Sequence, residues 1–74
     1  MRYVYDGDEY DIATKRIYGF TISKNIDGCE YIDLLIDVPN EWRRRIYREK
    51  CRDFDRFVGN IKALVSGGSD LGEA

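Results

Sequence analysis

Arg44, Arg48, Arg52 and Arg56 recur every four residues, and Arg45 stands beside the first of them. On a helix, at about 100° per residue, that spacing lines the guanidinium groups along one face. Such a stripe can meet phosphates or the carboxylates of a protein partner, often through two parallel hydrogen bonds per group. The same stretch also carries acids, with Glu41, Glu49, Asp53 and Asp55 each three or four residues from an arginine. Helical pairs at that spacing are worth only a few tenths of a kcal/mol and describe an ordinary solvated surface equally well. The solvated reading therefore comes first, a protein partner second and nucleic acid third, because the interleaved acids oppose strong phosphate binding.

A second constellation lies on the preceding strand, where Tyr31, Asp33, Leu35 and Asp37 alternate along one face and Ile17 lies nearby. An uncovered antiparallel face that served only to meet water would read more uniformly polar. A mixed acidic and aromatic surface suits docking on a basic partner, or self-association.

Catalytic and metal-binding patterns are weak. The chain has no histidine, and its two cysteines, Cys29 and Cys51, show no C-x-x-C spacing. Asp6, Asp8, Glu9 and Asp11 cluster like a calcium loop, but Asp11 stands where such a loop needs glycine and the closing glutamate is missing. A tight turn explains the cluster better. Asp33 and Asp37 have no base or nucleophile beside them. Lys50, between Ile46 and Phe54 in an apolar arc, reads as a lysine whose stem packs while its ammonium reaches water. The chain is expected to be no enzyme, and to need no metal and no cofactor.

The elements that must position these groups follow from turn chemistry and periodicity. Asp6-Gly7 suits a two-residue hairpin turn with both central residues left-handed. In that register Tyr3 faces Tyr10, Val4 faces Glu9 and Arg2 faces Asp11. Ile26-Asp27-Gly28 fits a three-residue turn with a bulge, placing Lys24 opposite Glu30, Ile22 opposite Ile32, Phe20 opposite Leu34 and Tyr18 opposite Ile36. The even-numbered residues of this hairpin then form the core face. In this register Cys29 points outward while a covering helix lies on the inner side, so no Cys29–Cys51 disulfide is expected.

Pro39 ends the strand, and Asn40 reads as the N-cap of a helix with Glu41 in its first turn. Trp42, Ile46, Phe54, Phe57, Val58, Ile61, Leu64 and Val65 share one half of that helix, which Ser66-Gly67-Gly68 would end. The expected fold is an α+β domain over residues 1–66. Strands at about 2–5, 8–13, 16–25 and 29–38 form an antiparallel meander of three to four strands. One long C-terminal helix, about 40–65, covers one face in ββββα order, and 67–74 form a flexible tail.

Composition bounds this picture. At 74 residues there is room for one core, and a chain this short has only a few kcal/mol of stability. Residues 1–40 carry eight acids against four bases, net −4, and residues 41–62 carry eight bases against four acids, net +4. The sheet is therefore expected to be acidic and the helix basic. No stretch approaches the roughly 18 apolar residues of a membrane span, and the first residues turn acidic where a signal peptide would be apolar. A cytoplasmic protein without membrane contact is expected.

The leading functional expectation is a small non-catalytic protein-binding module that docks by charge complementarity, through Arg44, Arg45, Arg48, Arg52 and Arg56 or through Tyr31, Asp33, Leu35 and Asp37. In size, acidity and lack of motifs the chain resembles in type the small inhibitors carried by phages and mobile elements, anti-CRISPR proteins among them, though no aligned motif carries that resemblance. It implies an inhibitor of a host protein machine. The alternative is a small nucleic-acid-binding regulator using the arginine-rich segment. A homodimer built on exposed sheet faces or edges is a third reading.

Overall fold

Asp6 and Gly7 both adopt left-handed backbone conformations, φ 53° and 86°, as the first hairpin turn requires. They join β1 (Arg2–Tyr5) to β2 (Asp8–Asp11) in the expected register, with Arg2 opposite Asp11 and Tyr3 opposite Tyr10. The computed structural model describes residues 1–65; the expected helix stop at 66–68 and the tail at 67–74 lie outside the described residues.

A short 3-10 turn, Thr14–Arg16, separates this hairpin from β3 (Ile17–Lys24), so the strands make two sheets rather than one continuous meander. β3 pairs with β4 (Glu30–Val38), and β4 with β5 (Glu41–Tyr47), both antiparallel. The turn between β3 and β4 is held by Asn25, whose Oδ1 accepts hydrogen bonds from the backbone N–H groups of Asp27 and Cys29, both at 2.9 Å. Gly28 there has φ 86°, a conformation in which other residues would be strained. Lys24 opposes Glu30, Ile22 opposes Ile32 and Phe20 opposes Leu34, as the turn chemistry implies.

The register then departs from expectation. A bulge between Ile17 and Gly19 brings Ile17, not Tyr18, opposite Ile36. The extra residue turns Tyr18 to solvent, 61% exposed, and buries Ile17, reversing the faces expected for these two. Ile22, near the free end of this edge strand, is also exposed despite its place in the core pattern.

The largest correction concerns residues 40–53. The expected helix over 40–65 begins only at Phe54: α1 spans Phe54–Val65, and residues 41–47 are the third strand of the sheet. Asn40 is not a helix cap. It sits at φ 65° in a Pro39-Asn40 turn, the sequence pattern of a type II turn, and Val38 pairs with Glu41 across it. Trp42, placed on the buried face of a helix by periodicity, is instead 64% exposed near the start of β5. Ile46 is buried as expected, but as a strand residue opposite Ile32. A 3-10 turn, Arg48–Lys50, and a left-handed Asp53, φ 51°, separate β5 from α1.

Residues 54, 57, 58, 61 and 65 of α1 are all buried and make one stripe, the part of the apolar face that periodicity placed correctly; Leu64, at its edge, is exposed. This stripe and the β1–β2 hairpin together cover the inner face of the three-stranded sheet. The core joins Ile32, Leu34 and Ile36 of β4 to Ile46, Tyr3, Ile12, Phe57 and Ile61. The Tyr3 ring centroid lies 5.0 Å from that of Phe57. The hairpin is tied to the segment before α1 by backbone hydrogen bonds from Asp6 to Lys50 and from Arg52 to Val4. Among the described residues the architecture is α+β, a three-stranded antiparallel meander covered on one face by a two-stranded hairpin and one C-terminal helix. No helix among the described residues is long and apolar enough to cross a membrane.

Candidate functional site

Conversion of residues 41–47 to a strand dissolves the expected helical stripe of arginines and sends its members to three places. Arg44 points toward the inner layer. Its Nε and Nη2 donate to the two carboxylate oxygens of Glu41 at 2.9 and 2.7 Å, and its Nη1 donates to the Tyr3 hydroxyl at 2.9 Å. Arg48 bridges sheet and helix, donating to Glu30 and to Asp55 at 2.8 Å each, with its guanidinium 4.7 Å from the centroid of the Phe54 ring. Arg52 and Arg56 make no side-chain hydrogen bond or ion pair among the described residues; they face a groove between β1 and α1.

Arg45 lies on the outer face of the sheet. Its Nε and Nη2 donate to the two carboxylate oxygens of Asp33, directly across the strands, at 2.8 and 3.0 Å. The same guanidinium sits 4.0 Å over the Tyr31 ring, and Tyr31 meets Tyr47 edge to face with centroids 5.4 Å apart. Asp33 is only 6% exposed, although it belongs to the face away from the core. Its burial comes from the side chains stacked over it, not from another layer of the fold. Two parallel charge-assisted hydrogen bonds and a cation–π contact hold the cluster in one arrangement.

Strand pairing sets what surrounds this cluster. Thr21 lies opposite Asp33, Ser23 opposite Tyr31 and Arg43 opposite Leu35. Leu35 is half-buried and lies across Gly19, where an added Cβ would come within 3.1 Å of its Cδ1. Asp37, exposed, contributes its backbone carbonyl to the Arg16 guanidinium at 2.9 Å and lies beside a groove that also involves Tyr18 and Trp42. Of the residues singled out in sequence, the structure thus brings Tyr31, Asp33, Leu35 and Arg45 together on one face. Asp37 stands at its end, and Arg44, Arg48, Arg52 and Arg56 stand elsewhere.

Comparison with known proteins finds no matching family, curated protein or solved structure. The site must be read from its own geometry.

Sequence reasoning missed Tyr47, Arg43, Trp42 and Tyr18. Arg43, Arg45 and Tyr47 alternate with period two, and that signal was legible once residues 41–47 were read as a strand. The Arg43 guanidinium lies 5.1 Å over the exposed Trp42 ring. Both cysteines are free thiols, with Cys51 buried and Cys29 at the hairpin end. Lys50 is exposed. No group of three or more His, Cys, Asp or Glu side chains is placed to hold a metal among the described residues.

The ion pairs shift the titration of their members. Hydrogen bonds from Arg44 hold the Glu41 carboxyl below its usual range, and hydrogen bonds from Arg48 do the same for Asp55. The arginines are shifted upward in return, Arg44 by Glu41, Arg45 by Asp33 and Arg48 by Asp55. Burial raises the Tyr3 hydroxyl, against the opposing pull of Arg44. For Glu41 the depressed folded value means that its contribution to stability is present above the ordinary glutamate value of about 4.5 and is lost as pH falls through the lower folded value. Glu41→Gln is therefore expected to flatten the fall in melting temperature between neutral pH and about pH 3. Thermal unfolding of both proteins across that range checks it, and an equal fall in the variant would show that Glu41 carries none of the acid sensitivity.

Proposed function

We propose that this chain is a non-catalytic protein-binding module that docks through the outer face of its three-stranded sheet. The observation that carries this reading is the Asp33–Arg45–Tyr31–Tyr47 cluster, locked in place on a face that no other element of the described chain covers. Tyrosine, tryptophan and arginine are the side chains that most often dominate binding energy at protein interfaces. Rings and guanidiniums already held by neighbours lose little freedom when a partner arrives, so more of the contact energy becomes affinity. Arg43 and Leu35 extend the surface, and Trp42 lies at its end.

The partner fitted to this face is a protein offering an apolar patch to Tyr31, Leu35 and Tyr47 and a carboxylate to Arg43. An inhibitor of a host protein machine, of the kind phages and mobile elements carry, is the biological role this reading implies; the small size and ready-formed surface support it. A nucleic-acid-binding regulator draws less support, because Arg44, Arg45 and Arg48 each spend their donors on carboxylates within the fold.

The test is capture from host lysate at low and moderate salt by the wild-type chain and by a Tyr31→Ala, Arg43→Glu, Tyr47→Ala variant. Circular dichroism confirms that the variant is folded. A specific protein held by the wild type at moderate salt and lost by the variant is the expected result. Equal capture by both, or no specific capture at either salt, would overturn the assignment of this face.

A further inference from the structure

The chain has eight arginines, and their side chains divide sharply. Arg16, Arg44, Arg45 and Arg48 donate hydrogen bonds to oxygen acceptors, and Arg43 stacks on Trp42. The remaining three, Arg2, Arg52 and Arg56, make no side-chain hydrogen bond, ion pair or ring contact among the described residues. All three line the same groove of about 300 Å³ between β1 and α1. β1 and the segment that leads into α1, remote from each other in sequence, thus bring three unpartnered arginines to one groove. Mutual repulsion would favour spreading them, and nearby carboxylates would favour pairing them.

The groove's other walls narrow the choice of ligand. Tyr3 and Phe57 supply an apolar floor, and such a low-dielectric surface strengthens hydrogen bonds made above it. Asp53 is the one acid in the lining, so three guanidiniums against one carboxylate leave a net charge of +2. A phosphate dianion cancels that charge, and its oxygens match the forked donors of arginine. A long polyanion fits less well, because a nucleic-acid track needs cations spread along a path and the neighbouring arginines are already neutralised.

We infer that the groove formed by Arg2, Arg52 and Arg56 binds a phosphate dianion, free or carried by a small monoester. The site lies in the layer of hairpin and helix, on the other side of the sheet from the proposed docking face, and does not depend on that reading. Asp53, beside the guanidiniums, is positioned to accept a hydrogen bond from a hydroxyl of an esterified ligand.

Titrating the 15N-labelled protein with inorganic phosphate and with adenosine 5′-monophosphate, at constant ionic strength against chloride, tests the assignment. Saturable NMR shifts confined to the groove, including the Nε–H signals of the three arginines, are expected with at least one of the two. Tighter binding of the monophosphate would show that the groove takes the ester, and equal binding would assign it to the bare ion. Arg52→Gln and Arg56→Gln should each weaken binding about tenfold or more, as loss of a charge-assisted hydrogen bond implies. Lys24→Gln, the same charge change far from the groove, should leave it intact. These arginines are exposed and support no other group, so the variants should retain the wild-type melting temperature. Shifts that fail to saturate or scatter over the surface would overturn the proposal. Equal weakening by Lys24→Gln, or an oligonucleotide that binds more tightly than either phosphate, would do so as well.

Discussion

Truncating Ile61 to alanine is expected to lower the unfolding free energy by about 2–5 kcal/mol, the range for deleting a large aliphatic side chain from a packed core. Ile61 is fully buried and is the side chain of α1 most completely enclosed against the sheet. Its removal leaves a cavity between helix and sheet that the surrounding core side chains fill only in part. A domain of this size holds only a few kcal/mol in reserve, so the variant should be largely unfolded at physiological temperature. Urea unfolding followed by far-UV circular dichroism measures this directly. Leu64→Ala, three residues along the same helix at an exposed position, is the internal comparison and should cost well under 1 kcal/mol. Similar losses in the two variants would mean that the helix is not seated on the sheet through Ile61.

Arg45→Ala is expected to produce the second large effect, and it bears on the docking face. The substitution strips the buried Asp33 carboxylate of both its guanidinium donors and removes the cation from the Tyr31 ring. A carboxylate left without partners costs more than the pair was worth, and water reaching Asp33 through the new opening offsets part of that cost. The net loss should read as a clear drop in the urea midpoint of unfolding. Arg43→Ala, which removes only an exposed stack on Trp42, should cost a few tenths of a kcal/mol at most. Adding Asp33→Ala to Arg45→Ala should recover part of the loss, because the orphaned charge is then gone. Equal costs for the two arginines, measured by urea unfolding, would show that the outer cluster is not held by the Asp33–Arg45 pair. The Arg45→Ala variant should also lose rigidity at Tyr31 and Tyr47, and with it affinity for the captured partner.

Legibility varied along the chain for identifiable reasons. The Asp6-Gly7 and Ile26-Asp27-Gly28 turns were read correctly with most of their pairing, because left-handed turn conformations are local and few residues accept them. The helix from Phe54 onward was equally legible, since its apolar stripe repeats at helical spacing without interruption. Residues 41–47 were misread because Trp42, Arg44, Arg45, Ile46 and Arg48 satisfy a helical pattern while Arg43, Arg45 and Tyr47 satisfy a strand pattern. Pro39-Asn40 is likewise a plausible helix entry and a plausible tight turn. Arginine favours helices, so local preference pointed the wrong way. What decided the matter is non-local: Asp33 and Tyr31 on β4 supply partners for Arg45 and Tyr47, and Ile32 supplies one for Ile46. Strand preference is largely preference for such neighbours, and no window of sequence contains them.

The constellation of arginines therefore meant one thing in the sequence and another in the fold. The sequence by itself determined the α+β class, two of the three hairpin turns, the β1–β2 register and most of the β3–β4 register, the buried stripe of α1 and the alternation of Tyr31, Asp33, Leu35 and Asp37. These depend on turn stereochemistry and on the periods of helix and strand, which a linear reading can see. Only the tertiary structure decided which arginines are spent and which are free. It clamps Arg45 to Asp33 on the sheet, and it gathers Arg2, Arg52 and Arg56 around one groove. Whether a charge is neutralised depends on what lies within about 3 Å of it, and that distance is set by pairing and packing between segments far apart in the chain.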